Sequence, residues 1–486
     1  MTHQRKNNSM AGLIKRLTAA IVAAVTVVSV ASCGTMNNTK SDNSNAAIHF
    51  TDDDGRLIEL DKPADKIISL YSAHTENLYY LGAGDKVIGG YKTCVYPPEA
   101  AFSKRYDYSG DPEAVIAAEP DLVLIRPFIT KKSPGFVKAL EKAGICVVSL
   151  YPGSLDKFDE YIDKLAVLAG VSADEELDEF HRELDSVKAA SEDIAPKKNV
   201  FFEATEVDIR TVTPNSMAGR AITYAGGMNI AADAKPMESG STIASFGAEK
   251  VLENADKIDV YVSQRGAMNS GGNLISIGER AGYNTIKAVK ENNVFLINEK
   301  LVSSPSFRYV KGVKELARFF YPEIFDSCDD LKSDEIASRR DLAEIVVKTQ
   351  HMPIYVPSSS SYYTTDQKGH TFGLFEDVKW YEDGFDAVET AVESGVMDWE
   401  KKDGKEYFNP QQTVTRDELA NTVFMLGDFS PNGKNTLIDD LSECGNSRII
   451  QILVDNGVFE LDNGSFNPNR EVSCREVIEF LEKLSE

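Results

Sequence analysis

The side chains with the plainest chemistry are tyrosines and arginines that follow short β-branched runs. Tyr71 and His74 follow the first run, Tyr91 and Tyr96 the second, Arg126 and Phe128 the third, and Tyr151 the fourth. Farther along come Glu203, Arg210 and Arg265, then Phe307 and Arg308 after the last run. Parallel sheets gather ligands at the C-terminal ends of their strands, so these residues are expected to line one cleft. Aromatic faces stack on flat chelates or macrocycles, and arginines pair with carboxylate or catecholate oxygens. This is chemistry for capture rather than turnover. The sequence has no Gly-x-Ser-x-Gly elbow, phosphate loop, His-Glu-x-x-His or dinucleotide fingerprint, and only six histidines. Neither enzymatic activity nor a cofactor is expected.

The elements that must position these residues alternate in type. Strands are read at 66–71, 87–91, 121–125, 146–150, 199–204, 259–263 and 293–298, with helical patterns such as 135–143 between them. Such alternation predicts parallel sheets flanked by helices. Two α/β sets, 48–171 and 195–326, are separated by one long helical pattern at 172–194. Ser172 and Glu175 have the spacing of a capping box, and Leu177, Phe180, Leu184 and Val187 mark one apolar face. The predicted fold is α/β: two lobes with parallel sheets joined by one helix of roughly 33 Å. A single stiff connection predicts a cleft that moves little.

The rest of the chain divides differently. With 486 residues, 42% apolar and 26% charged, roughly three folding units are expected. The net charge of -24 repels phosphate backbones, which argues against nucleic acid as a partner. Residues 1–33 read as a secretory signal, with Lys6, Lys15 and Arg16 ahead of a short apolar run. That run ends in Val30-Ala31-Ser32-Cys33, which looks like a bacterial lipobox and makes Cys33 the lipidated residue. A polar tether at 34–47 follows. The other cysteines, Cys94, Cys146, Cys328, Cys444 and Cys474, match no zinc or redox spacing, and a Cys444–Cys474 bridge is left open. After a linker at 327–371, a repeat of about fifty residues becomes visible at 372–430 and 431–486. Each copy carries Phe-Asn-Pro, at Phe408-Asn409-Pro410 and Phe466-Asn467-Pro468, shortly before a helix start. A partial third copy is read at 337–343.

Residues 66–326 resemble the periplasmic-binding-protein family for iron complexes and cobalamin, the class whose lobes are linked by a single helix. The resemblance rests on Lys66-Ile67-Ile68-Ser69-Leu70-Tyr71, on Thr75 through Gly89, on Pro112-Glu113-Ala114-Val115 with Glu119-Pro120-Asp121, on Tyr224-Ala225-Gly226-Gly227, and on 308–322. It implies the extracytoplasmic, lipid-anchored solute-binding component of an ABC importer for a metal chelate, a ferric siderophore or haem, with cobalamin as the alternative. It also implies an ABC permease as partner, docked through Glu113 in the first lobe and Glu249 in the second. His74 stands where the family has a small residue, which makes it a candidate metal or axial ligand. A surface protein with a degenerate cleft is the competing reading. The terminal repeats resemble surface-layer-homology modules, expected to be small and all-α. The resemblance implies cell-wall polymer binding through Thr415, Arg416 and Glu418, whereas Ser473-Cys474-Arg475-Glu476 departs from the motif by placing Cys474 where arginine belongs.

Overall fold

A computed structural model describes residues 47–92, 94, 96–101, 104–238, 240–266, 268–269, 274–355, 375–379 and 382–485. All seven expected strands form, within a residue or two of their expected bounds. The first lobe holds a five-stranded parallel sheet in the order Lys104–Tyr106, Val87–Tyr91, Ile67–Ser69, Leu122–Ile125, Cys146–Ser149. Leu122–Ile125 is buried on both faces, as a central parallel strand covered by helices must be. The second lobe has four parallel strands in the order Met228–Asn229, Asn199–Glu203, Val260–Arg265, Val294–Asn298. An antiparallel hairpin, Ile48–Thr51 with Leu57–Leu60, precedes them and has no counterpart in the sequence reading.

The linking helix is Asp174–Glu192, shorter than expected at 19 residues or about 28 Å. The capping box does not form. Ser172 Oγ instead accepts from the N–H of Asp174 at 3.2 Å, closing a turn one step too early to cap the helix. Phe180, Leu184 and Val187 are buried as their spacing requires. Phe180 stacks on Phe158 of the first lobe at 4.6 Å and meets Phe307 of the second edge-on at 5.9 Å. One apolar core therefore runs from lobe to lobe through the helix.

The terminal region folds into helices Arg339–Thr349, Phe385–Glu393, Arg416–Leu426, Ser447–Asp455 and Cys474–Ser485. It is not all-α, because Glu400–Lys402 pairs with Lys405–Tyr407 as a small hairpin. Three extended segments meet at its centre. Ala337 N–H donates to Val472 O at 2.9 Å, Val472 to Val414 at 3.0 Å and Val414 to Ala337 at 2.8 Å, closing a ring with three-fold character. The segment at 337–343 thus completes the structure as a third part. The Phe-Asn-Pro turns recur for a backbone reason: Asn409 and Asn467 have φ of 59° and 58°, a region asparagine enters readily. Asp377 accepts from the N–H groups of Phe408 and Asn409, and Asp440 does the same for Phe466 and Asn467. Cys94, Cys146, Cys328, Cys444 and Cys474 are all free thiols, so the Cys444–Cys474 bridge is not made.

Candidate functional site

The lip of the first sheet gathers the aromatic residues into one run. Arg126 ends strand Leu122–Ile125 in an extended conformation, which the following Pro127 enforces before it opens the helix Pro127–Lys132. The Arg126 guanidinium lies 4.6 Å from the centre of the Tyr71 ring and 4.9 Å from that of Phe128. Tyr71 meets Tyr151 edge-on at 6.3 Å. On the other side Phe128, 47% exposed, meets Tyr108 at 6.5 Å, and Tyr108 stacks on Tyr91 at 4.9 Å with 16° between planes. Burial, reinforced by Tyr151, raises the Tyr71 phenol above its usual range; burial and the Tyr108 hydroxyl do the same to Tyr91. Both stay neutral near pH 7. Tyr108 was not selected from the sequence, because strand Lys104–Tyr106 is only three residues long and two of them are cationic. The spacing of Tyr106 and Tyr108 is the one signal that was there.

The N-terminal hairpin fixes the far end of the run. Asp52 Oδ2 accepts from Ser149 N–H at 2.9 Å, and Asp53 Oδ2 from Tyr151 N–H at 2.5 Å. Across the cleft floor the lobes are tied directly. Lys300 Nζ donates to Ser72 Oγ at 2.7 Å, Asn77 Nδ2 to Pro305 O at 3.0 Å, and Phe307 N–H to Asn77 Oδ1 at 3.2 Å.

Five expected cleft residues are withdrawn from it. His74 lies within helix Ser72–Tyr80 rather than in a loop and is fully buried. Its Nε2–H donates to Leu150 O at 3.0 Å, and burial drops its pKa to about 3, so it packs as a neutral residue away from the surface. Arg308 forms a buried bidentate pair with Glu76 at 2.8 and 3.0 Å, and it covers the ring of Tyr96, itself 4% exposed, at 3.7 Å. Glu203 is fully buried; it accepts from Tyr261 Oη at 2.6 Å and Ser263 Oγ at 2.8 Å and pairs with Arg280. A buried charge needs such partners, and the sequence does not announce them. Arg265 ends strand Val260–Arg265 partly exposed, and Arg210 pairs with Asp208 at 2.9 Å. Phe307 packs in the inter-lobe core. Among the described residues no group of three or more His, Cys, Asp or Glu side chains is placed to hold a metal ion.

Glu113 opens the short helix Glu113–Ile116 and Glu249 lies in the first turn of Ala248–Glu253, both exposed. Cys33 and the signal segment lie outside the described residues; among those described, no helix is long and apolar enough to cross a membrane. In the terminal region Thr415 caps its helix, Oγ1 accepting from Glu418 N–H at 3.3 Å. Arg416 donates to Phe466 O at 2.9 Å and Glu460 O at 2.7 Å, while Glu418 pairs with Arg339. Arg339 makes the equivalent bond to Phe408 O at 2.8 Å. These contacts tie successive parts of the module to one another.

Comparison with known proteins gives two matches along the chain. Residues 67–301 match the family described as periplasmic binding protein, and residues 374–420 match the S-layer homology domain. An uncharacterized ABC transporter substrate-binding lipoprotein of Bacillus subtilis is 27% identical over 316 residues, covering 63% of this chain and 96% of that protein. A vitamin B12-binding protein of Vibrio parahaemolyticus is 25% identical over 271 residues, 54% of this chain and 92% of the other. A solved structure described as a possible iron-binding (periplasmic solute-binding) protein from Staphylococcus epidermidis has TM-score 0.47 and 24% identity, covering 54% of this chain and 100% of that one.

Proposed function

We infer that this chain, whose residues 67–301 belong to the periplasmic binding protein family and whose residues 374–420 are an S-layer homology domain, is the extracytoplasmic solute-binding component of an ABC importer and carries a flat metal macrocycle. The run Tyr151, Tyr71, Arg126, Phe128, Tyr108, Tyr91 carries this reading. A small hydrophilic solute would need a closed set of polar partners; a lip of five rings around one cation offers π-faces to a wide conjugated surface. With Glu203 and Arg308 spent on internal pairs, the balance of the cleft moves from charge toward aromatic area. That favours a tetrapyrrole, haem or cobalamin, and the relatives named as vitamin B12-binding proteins support the corrinoid. A ferric siderophore is the second reading, carried by Arg126.

In this reading Cys33 holds the chain to the membrane by lipid, Glu113 and Glu249 meet the permease, and the S-layer homology module meets wall polymer through Thr415, Arg416 and Glu418. The test is titration of the purified chain with cyanocobalamin, haemin and a ferric catecholate, followed by visible absorption and calorimetry. Saturable one-to-one binding of a tetrapyrrole is expected. If none of the three binds, the solute-capture reading is wrong.

A further inference from the structure

The terminal module is packed against both lobes beside the cleft floor, and Tyr96 is the point where all three meet. Its backbone belongs to the first lobe. Its ring lies in the same apolar cluster as Ala337, Leu342, Phe385 and Val388 of the module. Arg308 of the second lobe covers that ring, and Glu76 of the first lobe holds Arg308. The module's other ties run to the helix Tyr309–Phe320 of the second lobe. Lys311 pairs with Asp386 at 2.5 Å, Glu315 Oε1 accepts from Ile354 N–H at 2.9 Å, and Arg318 donates to Val347 O and Met352 O at 3.3 Å. A cavity of about 490 Å³ beside these contacts is lined by residues of both lobes and of the module, among them Tyr80, Tyr96, Lys311 and Asp386. Tyr96 also follows closely on Tyr91, the outer ring of the cleft lip, and Cys94 N–H donates to Tyr91 O at 2.8 Å.

We propose that the terminal module is a third wall of the binding unit: by seating Tyr96 and Lys311 it holds Tyr91 and the Arg308–Glu76 cross-lobe pair in place, so that module and cleft are energetically coupled. A domain that served only as a tether would need no side chain of the cleft loop in its own core. Coupling of this kind is reciprocal: a chelate that orders Tyr91 stabilises the docked module, and undocking the module weakens chelate binding. The part about chelate affinity rests on the solute-binding reading; the structural coupling does not.

The test uses the full chain and the amide of Cys94 as reporter. Asp386→Arg removes the Lys311 tie without touching the cleft, and the charge-swapped Lys311→Glu/Asp386→Arg chain restores it. Hydrogen exchange at Cys94 should accelerate about tenfold in the single variant and return to within about twofold of wild type in the double. Faster exchange in helix Phe385–Glu393 with an unchanged Cys94 amide would overturn the coupling. Should Asp386→Arg not fold, the wild-type chain still decides: Cys94 must lose protection in the same denaturant window as that helix, and loss in separate windows overturns the proposal. Failure of wild-type protein to bind cyanocobalamin, haemin and a ferric catecholate alike would instead count against the solute-binding reading, since exchange is read without ligand.

Discussion

Replacing His74 by glutamine should remove a pH-dependent part of the protein's stability. His74 is fully buried, Nε2–H is bonded to Leu150 O, and Nδ1 has no partner, so protonation would place a charge where nothing receives it. Burial therefore holds its pKa at about 3 against 6.5 for a free side chain, with nearby Arg126 opposing the proton further. The unfolded chain takes up a proton near pH 6.5 while the folded chain refuses it until about pH 3. Between these values the unfolded state binds more protons, so stability is undiminished above pH 6.5 and falls as pH falls. The slope approaches 1.36 kcal/mol per pH unit, so the drop from pH 7.5 to 4.5 is about 2–3 kcal/mol. That is a large share of a typical 5–15 kcal/mol total. Urea midpoints followed by circular dichroism at pH 7.5, 6 and 4.5 for wild type and His74→Gln isolate the effect, because other titrating groups cancel in the difference. The wild type should lose about 2–3 kcal/mol more than the variant over this range. Parallel pH profiles would refute the reasoning: His74 would then titrate as an accessible imidazole, and its role as a metal ligand would return.

Three further outcomes test the site and its surroundings. Arg126→Ala should weaken an anionic or carboxylate-bearing chelate by about 1.5–3 kcal/mol in calorimetry, and Tyr91→Ala or Tyr108→Ala should each weaken a tetrapyrrole by about 1 kcal/mol; if all three leave every chelate unaffected, the ligand lies elsewhere. Glu113→Arg with Glu249→Arg should abolish uptake by cells while purified protein keeps its affinity, since exposed charges set register more than they hold ligand; surviving uptake would remove both from the docking role. Cys33→Ala should shift the protein from the membrane to the soluble extracytoplasmic fraction, and continued membrane retention would exclude the lipid anchor.

What could be read from the sequence is what leaves a local trace. Leu122–Ile125 is apolar throughout because both faces are covered, and Phe-Asn-Pro recurs because each turn needs a residue that accepts positive φ. Phe180, Leu184 and Val187 announce a buried helix face by spacing alone. The strand-end rule selected Tyr71, Arg126, Phe128 and Tyr151, and the structure brings these four side chains together. It could not tell which side chains turn inward, because that depends on partners far along the chain. Glu76 and Arg308 pair across 232 residues, and Glu203 reaches Arg280 across 77. Each of these four is an ionisable residue and each pair is internal, so a polar residue at a strand end is evidence for a cleft only when no opposite charge comes within reach. By that criterion Arg126 is distinguished from Arg308: its guanidinium rests on the rings of Tyr71 and Phe128, which attract it without neutralising it, so its charge is still there for an anionic group of the ligand.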